Sequence, residues 1–256
     1  MPETSPRTRL DLSLVELGLA PSRERAQALI AAGMVEVEGA AARSAAQRVG
    51  QEQRIRVIGR DHPWAGRGGL KLDAALDAFT VSCRDRVALD SGASTGGFTD
   101  VLLSRGARLV YAVDVGQGQL DPRLAGDDRV LVMDRTNVRL LSELPGPPPT
   151  LITLDLSFIS LRLVLPVLGR LAPAAEVVAL FKPQFELGRD AVGRGGVVRD
   201  PGAAEMGARD LIAWAEGTLA ARAASDPVPA SVRGAKGNQE WFVHLVLAPA
   251  RGEARS

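Results

Sequence analysis

The 256-residue sequence has one cysteine, two histidines, three lysines and a net charge of only +1. A single thiol, Cys83, excludes an internal disulfide; it fits a reducing cytoplasm and reads as a small packed residue. The histidines, His62 and His244, have no cysteine or histidine partner at ligand spacing, so no metal is expected. Near-zero net charge leaves no global field to attract a polyanion, and any basic surface must be local. No secretory signal is visible. The most apolar window, Leu161 to Phe181, is broken by Arg162, Pro166, Arg170, Pro173 and Glu176, which excludes a spanning helix and predicts a soluble protein that makes no use of a membrane. The scarcity of lysine is informative in another way: of 31 basic side chains only Lys71, Lys182 and Lys236 are lysine. Lysine can lose its proton when desolvated and arginine effectively cannot, so each of the three is a candidate for a role arginine cannot fill.

What the sequence does have is a glycine-rich turn between an apolar run and an apolar-periodic segment. Val87 to Asp90 reads as a strand, Gly92-Ala93-Ser94-Thr95-Gly96-Gly97 as a tight turn, and Phe98, Val101 and Leu102 as a helix face. Glycines at the carboxyl end of such a strand let backbone approach a ligand. A dinucleotide and S-adenosylmethionine are the two ligand classes that fit. The GxG pair that seats a pyrophosphate is missing, and Asp90 suits a cationic methionine moiety, so S-adenosylmethionine is favoured and a nicotinamide dehydrogenase disfavoured. Further strands are predicted at Leu109–Val113, Val130–Met133, Leu151–Leu154 and Val177–Phe181, ending at Asp114, Asp134, Asp155 and Lys182. This rhythm predicts an α/β fold with a Rossmann-like, doubly wound sheet whose strand-end residues share one edge. Asp114 stands where an acid reaches a ribose hydroxyl, and Asp134 where one accepts from an adenine amino group.

Residues 9–57 form a different unit. Two short helices, the second capped by Ser22 and closed by Gly33, precede an alternating strand at Met34–Glu38, a small α+β domain. Arg7, Arg9, Arg23, Arg25 and Arg43 punctuate it, and Arg67 follows just beyond; Arg23 and Arg25 in a first helical turn oppose the helix dipole unless an anion such as phosphate compensates. The predicted organisation is a disordered tail over 1–8, an RNA-binding domain over 9–57, a linker over 58–66 in which Trp64 packs between domains, a catalytic domain over 67–249, and a tail over 250–256. The run from Arg9 to Ile30 with Gly33-Met-Val-Glu-Val-Glu-Gly39 resembles the RNA-binding module shared by a small-subunit ribosomal protein, pseudouridine synthases and tyrosyl-tRNA synthetases.

Lys71, Asp155, Lys182 and Glu240 together resemble the Lys-Asp-Lys-Glu tetrad of FtsJ-class ribose 2′-O-methyltransferases. With the glycine turn, Lys182-Pro-Gln-Phe-Glu186, Gly195-Gly-Val-Val-Arg-Asp-Pro201 and Gly237-Asn-Gln-Glu240, the chain resembles the TlyA family from Arg9 to about Leu247. The resemblance implies cytidine 2′-O-methylation of ribosomal RNA or ribosomal subunits with S-adenosylmethionine, no metal, and Lys182 as acceptor of the ribose hydroxyl proton. Asp155 and Glu240 would set lysine orientation and charge, and Lys71 would help position the nucleotide. Asp61-His-Pro-Trp64, Gly66 and Asp121-Pro122 depart from the family pattern. A non-enzymatic RNA-binding or ribosome-assembly factor and, because some members carry the label haemolysin, a membrane-lytic protein are the alternatives.

Overall fold

The computed structural model describes residues 7–20, 22–58, 62–188, 190–193, 195–198, 200–219, 221–234 and 236–247. The expected tail at 250–256 and residues 1–6 of the expected N-terminal tail lie outside these residues, as do Pro21, Asp61 and Arg199. Ordered structure begins earlier than predicted, because Thr8 already belongs to a strand and pairs with Val49.

The N-terminal unit runs β1 (Thr8–Arg9), α1 (Leu10–Glu16), α2 (Arg23–Ala31), β2 (Val35–Val37), β3 (Ala40–Ala41), β4 (Arg48–Val49) and β5 (Ile55–Val57). Ser22 caps α2 as expected, its hydroxyl accepting from Arg25 N–H at 3.2 Å. Gly33 follows at φ +73°, the left-handed turn that lets the chain leave the helix. Leu10, Leu14, Leu29 and Val35 close a core of its own.

The second unit runs α3 (Gly68–Phe79), β6 (Val87–Ser91), α4 (Gly97–Ser104), β7 (Leu109–Val113), α5 (Pro122–Ala125), β8 (Val130–Met133), β9 (Leu151–Leu154), α6 (Leu165–Leu171), β10 (Glu176–Phe181), α7 (Pro183–Glu186), α8 (Pro201–Thr218), β11 (Ala221–Ala223), β12 (Val228–Pro229) and β13 (Trp241–Leu247). The sheet order is β11-β13-β10-β9-β6-β7-β8. β10, β9, β6, β7 and β8 are parallel, and β13 runs antiparallel against β10. The chain moves outward from β6 through β7 to β8, then returns to place β9 on the other side of β6, which makes the β6/β9 boundary the switch point where such sheets open a crevice.

Alternation along the strands feeds two cores. Ala88, Val110, Val178 and Phe242 face α3 and α4, while Leu89, Tyr111, Ile152, Ala179 and Val243 face α6 and α8. Trp64 packs against the first of these cores, and a Cβ on Gly69 would lie 2.4 Å from it. This corrects the expectation of an interdomain role: its ring is held by the catalytic unit. Ala65 is buried beside it and donates its N–H to Asp100 Oδ2 at 2.8 Å, so the end of the linker is fastened to α4. Cys83 is buried, and burial pushes its thiol up to about 11, in keeping with a packing role.

Candidate active site

A cavity of about 430 Å³ opens at the carboxyl edge of the sheet. Lys71, Asp155, Lys182 and Glu240 all line it, as do Gly92, Ala93, Ser94, Thr95 and Gly97 of the turn. The four come from four places in the chain: the first turn of α3, the loops leaving β9 and β10, and the residue before β13. Because β13 is antiparallel, its start lies at the edge where its parallel neighbours end, and this delivers Glu240 to the lysines.

The tetrad forms two ion pairs. Lys182 Nζ stands 2.5 Å from Asp155 Oδ1, and Lys71 Nζ donates to Glu240 Oε2 at 2.7 Å. Burial works against a charged Asp155, but the ammonium groups of Lys182 and Lys71 outweigh it and hold the carboxyl below its ordinary range. Lys182 also donates to Ser157 Oγ at 3.0 Å. Glu240 is 2% exposed and receives a second, long contact of 3.5 Å from Gln184 Nε2. Gly234 leaves room for it, since a Cβ there would come within 2.4 Å of Glu240 Oε1.

The turn after β6 is shaped by close approach. Gly92 sits at φ +87°, and a Cβ on it would lie 2.4 Å from the Asp155 carbonyl oxygen, so only glycine lets the β6 and β9 loops meet. Asp114 Oδ2 accepts from Ser94 N–H at 2.9 Å and its Oδ1 from Gly116 N–H at 2.7 Å. Asp134 Oδ2 accepts from Gly118 N–H at 2.7 Å. Carboxylate oxygens carry further lone pairs, so both acids keep capacity for a ligand's donors.

Of the predicted cofactor residues, Asp90, Gly96, Asp114 and Asp134 do not belong to the cavity wall. Asp90 is fully buried beneath the turn, where it accepts from Thr99 Oγ1 at 2.7 Å and Thr153 Oγ1 at 3.3 Å. Burial raises its carboxyl to about 7, against those hydrogen bonds. It holds α4 to the sheet instead of facing a cation. Gly96, at φ +95°, is hemmed in by Leu124 and Leu120.

The arginines separate into groups. Arg9 makes a twofold contact with buried Asp11 at 2.9 Å, and Arg23 Nε donates to the same carboxylate at 3.0 Å. The anion that offsets Arg23 at the start of α2 is therefore internal. Arg7 and Arg43 are exposed on the N-terminal unit. Arg25 donates to the Gln119 carbonyl and so ties α2 to the loop after β7. Arg67 is exposed at the cavity rim, against Gly33. Ala31 and Ala32, at the end of α2, also line the cavity, so both units build its wall.

Phe158 was not singled out by the sequence. It follows Ser157 in the loop after β9, sits at φ +65° and is 89% exposed at the cavity mouth. A bulky residue in that left-handed conformation costs about 1–3 kcal/mol. The loop is held in place by Glu186, which accepts from Ser160 Oγ and Leu161 N–H, both at 2.7 Å. Phe185 supports the ring at 4.9 Å between centroids. Burial raises the Glu186 carboxyl in spite of its two donors. An aromatic between two serines just after a strand-end acid was the available signal.

Among the described residues no helix is long and apolar enough to cross a membrane, and no group of three His, Cys, Asp or Glu comes together in a metal-binding arrangement. The FtsJ-like methyltransferase family matches residues 64–246 and the S4 domain residues 8–55. The 16S/23S rRNA (cytidine-2′-O)-methyltransferase TlyA of Mycobacterium tuberculosis is 44% identical over 247 residues, spanning 93% of this chain and 90% of its own length. Hemolysin A of Brachyspira hyodysenteriae is 35% identical over 244 residues, 93% of this chain and 100% of that protein. Among solved structures, a hemolysin-named protein from Streptococcus thermophilus superposes with a TM-score of 0.73 at 37% identity, covering 95% of this chain and 89% of that one. With an S4 domain joined to a methyltransferase sheet and relatives matched along nearly their whole length, the chain belongs to the FtsJ-like methyltransferase family, in its TlyA branch.

Proposed function

We propose that the protein methylates the ribose 2′-hydroxyl of a cytidine in ribosomal RNA, using S-adenosylmethionine. The observation that carries this reading is the pair of lysine–carboxylate contacts, Lys182–Asp155 at 2.5 Å and Lys71–Glu240 at 2.7 Å, inside one cavity walled by both domains. The TlyA relative's activity on cytidine of 16S and 23S rRNA supports the substrate class.

The residues fit the cofactor. The turn from Gly92 to Gly97 offers backbone where side chains would block approach, and Asp114 and Asp134 keep acceptor capacity for ribose and adenine donors. When bound, S-adenosylmethionine supplies an electrophilic methyl group on a good leaving group. What remains for the chain is alignment and removal of one proton.

Lys182 Nζ first releases its ammonium proton to solvent and then, as the neutral amine, takes the proton of the ribose 2′-hydroxyl. Asp155, beside the standing cation of Lys71, fixes the direction of Lys182 and stabilises the positive charge that the amine regains. Ser157 holds the same ammonium from a second side. Lys71, locked by buried Glu240, shares Asp155's charge and presents a cation to the nucleotide. Phe158 offers an exposed ring at the mouth, suited to stacking on a base turned out of its helix. The S4 unit, through exposed Arg7 and Arg43, and the methyltransferase unit, through the rim residue Arg67, grip the surrounding RNA.

The test is transfer of labelled methyl from S-adenosylmethionine to isolated ribosomal subunits, followed by alkaline hydrolysis. Ribose methylation protects the modified linkage, so the label is expected in an alkali-resistant dinucleotide containing cytidine. Label released as a base-methylated nucleotide, or no transfer to either subunit, would refute the reading.

A further inference from the structure

The catalytic scheme leaves one of the three lysines unexplained. Lys236 lines the same cavity as Lys71 and Lys182 but is exposed at its rim, and among the described residues it has no ion pair or hydrogen bond. Its position is built. Gly196, at φ +81°, lies under the side chain, and a Cβ there would stand 3.1 Å from Lys236 Nζ. Buried Asn238 fastens the loop from below: its Nδ2 donates to Gly196 O at 2.8 Å and Gln184 Oε1 at 3.1 Å, and its Oδ1 accepts from Val198 N–H at 2.9 Å. Gly234 N–H closes the loop on Asn238 O at 3.0 Å. Arg233, also on the rim, is held by the Gly237 carbonyl at 3.0 Å. Arg67, exposed and without an ion pair among the described residues, completes a cationic rim around the mouth. Among the described residues no acidic side chain lines the cavity besides Asp155 and Glu240, and each already has a lysine.

We infer that Lys236, with Arg233 beside it, holds an RNA backbone phosphate flanking the target nucleotide. This rests on the RNA-methylating reading above. A nucleotide whose ribose enters the cavity brings its phosphates to the mouth, where a solvated ammonium gains a charge-assisted contact without first breaking an ion pair. A point charge on a pinned loop serves this purpose, and an internal salt bridge would cancel it.

The experiment measures binding of the full chain to ribosomal subunits, and kcat and KM for methyl transfer, across a salt series. Lys236→Ala is compared with wild type, Lys236→Arg, and Arg170→Ala, which removes an exposed charge on α6. Loss of one phosphate contact lowers the slope of log affinity against log salt by about 0.7–0.9, so the wild-type advantage at 50 mM salt shrinks about threefold by 200 mM. KM for RNA is expected to rise with kcat and the affinity for S-adenosylmethionine unchanged; Lys236→Arg keeps most of the affinity and Arg170→Ala all of it. An unchanged salt slope, a fall in kcat at constant KM, or weakened S-adenosylmethionine binding would each overturn the assignment. Wild-type chain that binds subunits but transfers no methyl refutes the catalytic reading alone, and the binding slope still decides the role of Lys236.

Discussion

Lys182→Ala separates a proton acceptor from a structural ion pair. The substitution removes the ammonium 2.5 Å from Asp155 and 3.0 Å from Ser157. A positioned general base contributes about 10²–10⁴ in rate, equivalent to roughly 3–5 kcal/mol of barrier, and that loss is expected in kcat. Stability should fall too, for a different reason. Breaking a fully buried pair costs about 3–5 kcal/mol; here the Asp155 side chain keeps 22% exposure and Lys71 still acts on it, so about 1–3 kcal/mol is the expected loss, at about 2–4 °C for each kcal/mol. The sign of its pH dependence follows from Asp155. Its folded carboxyl is held below the ordinary 3.8, so the pair stabilises above that value and the contribution fades as pH drops through it. The variant's stability deficit should be full at neutral pH and close in acid. Adding Asp155→Asn removes the stranded charge and should recover most of the melting temperature while leaving the rate low. Methyl-transfer kinetics, S-adenosylmethionine binding and thermal unfolding of the single and double variants provide the readouts. Lys182→Ala that keeps more than about a tenth of kcat would refute the role of base, and rate recovery in the double variant would show that the first loss was one of fold.

Three further outcomes follow from the geometry. Asp90 has its carboxyl raised to about 7 from 3.8, so native stability is highest while it is protonated and declines as pH rises from about 4 through 7; Asp90→Asn should lose that decline, and a melting-temperature difference flat between pH 5 and 8 would contradict it. Phe158→Ala should leave melting nearly unchanged, since the ring is 89% exposed, yet weaken productive RNA engagement by about 1–3 kcal/mol, with Phe158→Trp restoring it; equal kinetics for all three proteins would remove the stacking role. Gly92→Ala adds a Cβ 2.4 Å from the Asp155 carbonyl at φ +87°, and calorimetry should find S-adenosylmethionine binding lost together with at least about 1–3 kcal/mol of stability; normal binding would show that the turn has room to spare.

The strand ends were legible in the sequence because a parallel sheet writes them plainly. Apolar runs stop where polar residues begin, and Leu109–Val113, Val130–Met133 and Leu151–Leu154 appear in the fold with the boundaries that pattern predicts, although β8 at the sheet edge leaves Leu131 and Val132 exposed. What spacing does not carry is the direction a side chain takes once the chain is folded. Asp90 and Asp155 both follow apolar strands, yet Asp90 turns beneath the glycine loop to Thr99 and Thr153 while Asp155 opens to the cavity. Arg9 and Arg23 read as solvent-facing cations until Asp11 comes to lie between them. Trp64 reads as a domain spacer until Gly69 leaves it a seat. Phe158 acquires its position from a backbone conformation that no residue preference announces.

The reversed direction of β13 has a consequence for timing. Lys71 is made early and Glu240 169 positions later, and that carboxylate reaches the site only when the last strand of the sheet slots against β10. A chain emerging residue by residue can order its S4 domain and its glycine turn before then, but the lysine in α3 stays without its counter-ion until those 169 further positions have been made. The Lys71–Glu240 pair thus depends on the docking of β13, and a chain in which that strand has not yet paired with β10 holds an incomplete tetrad.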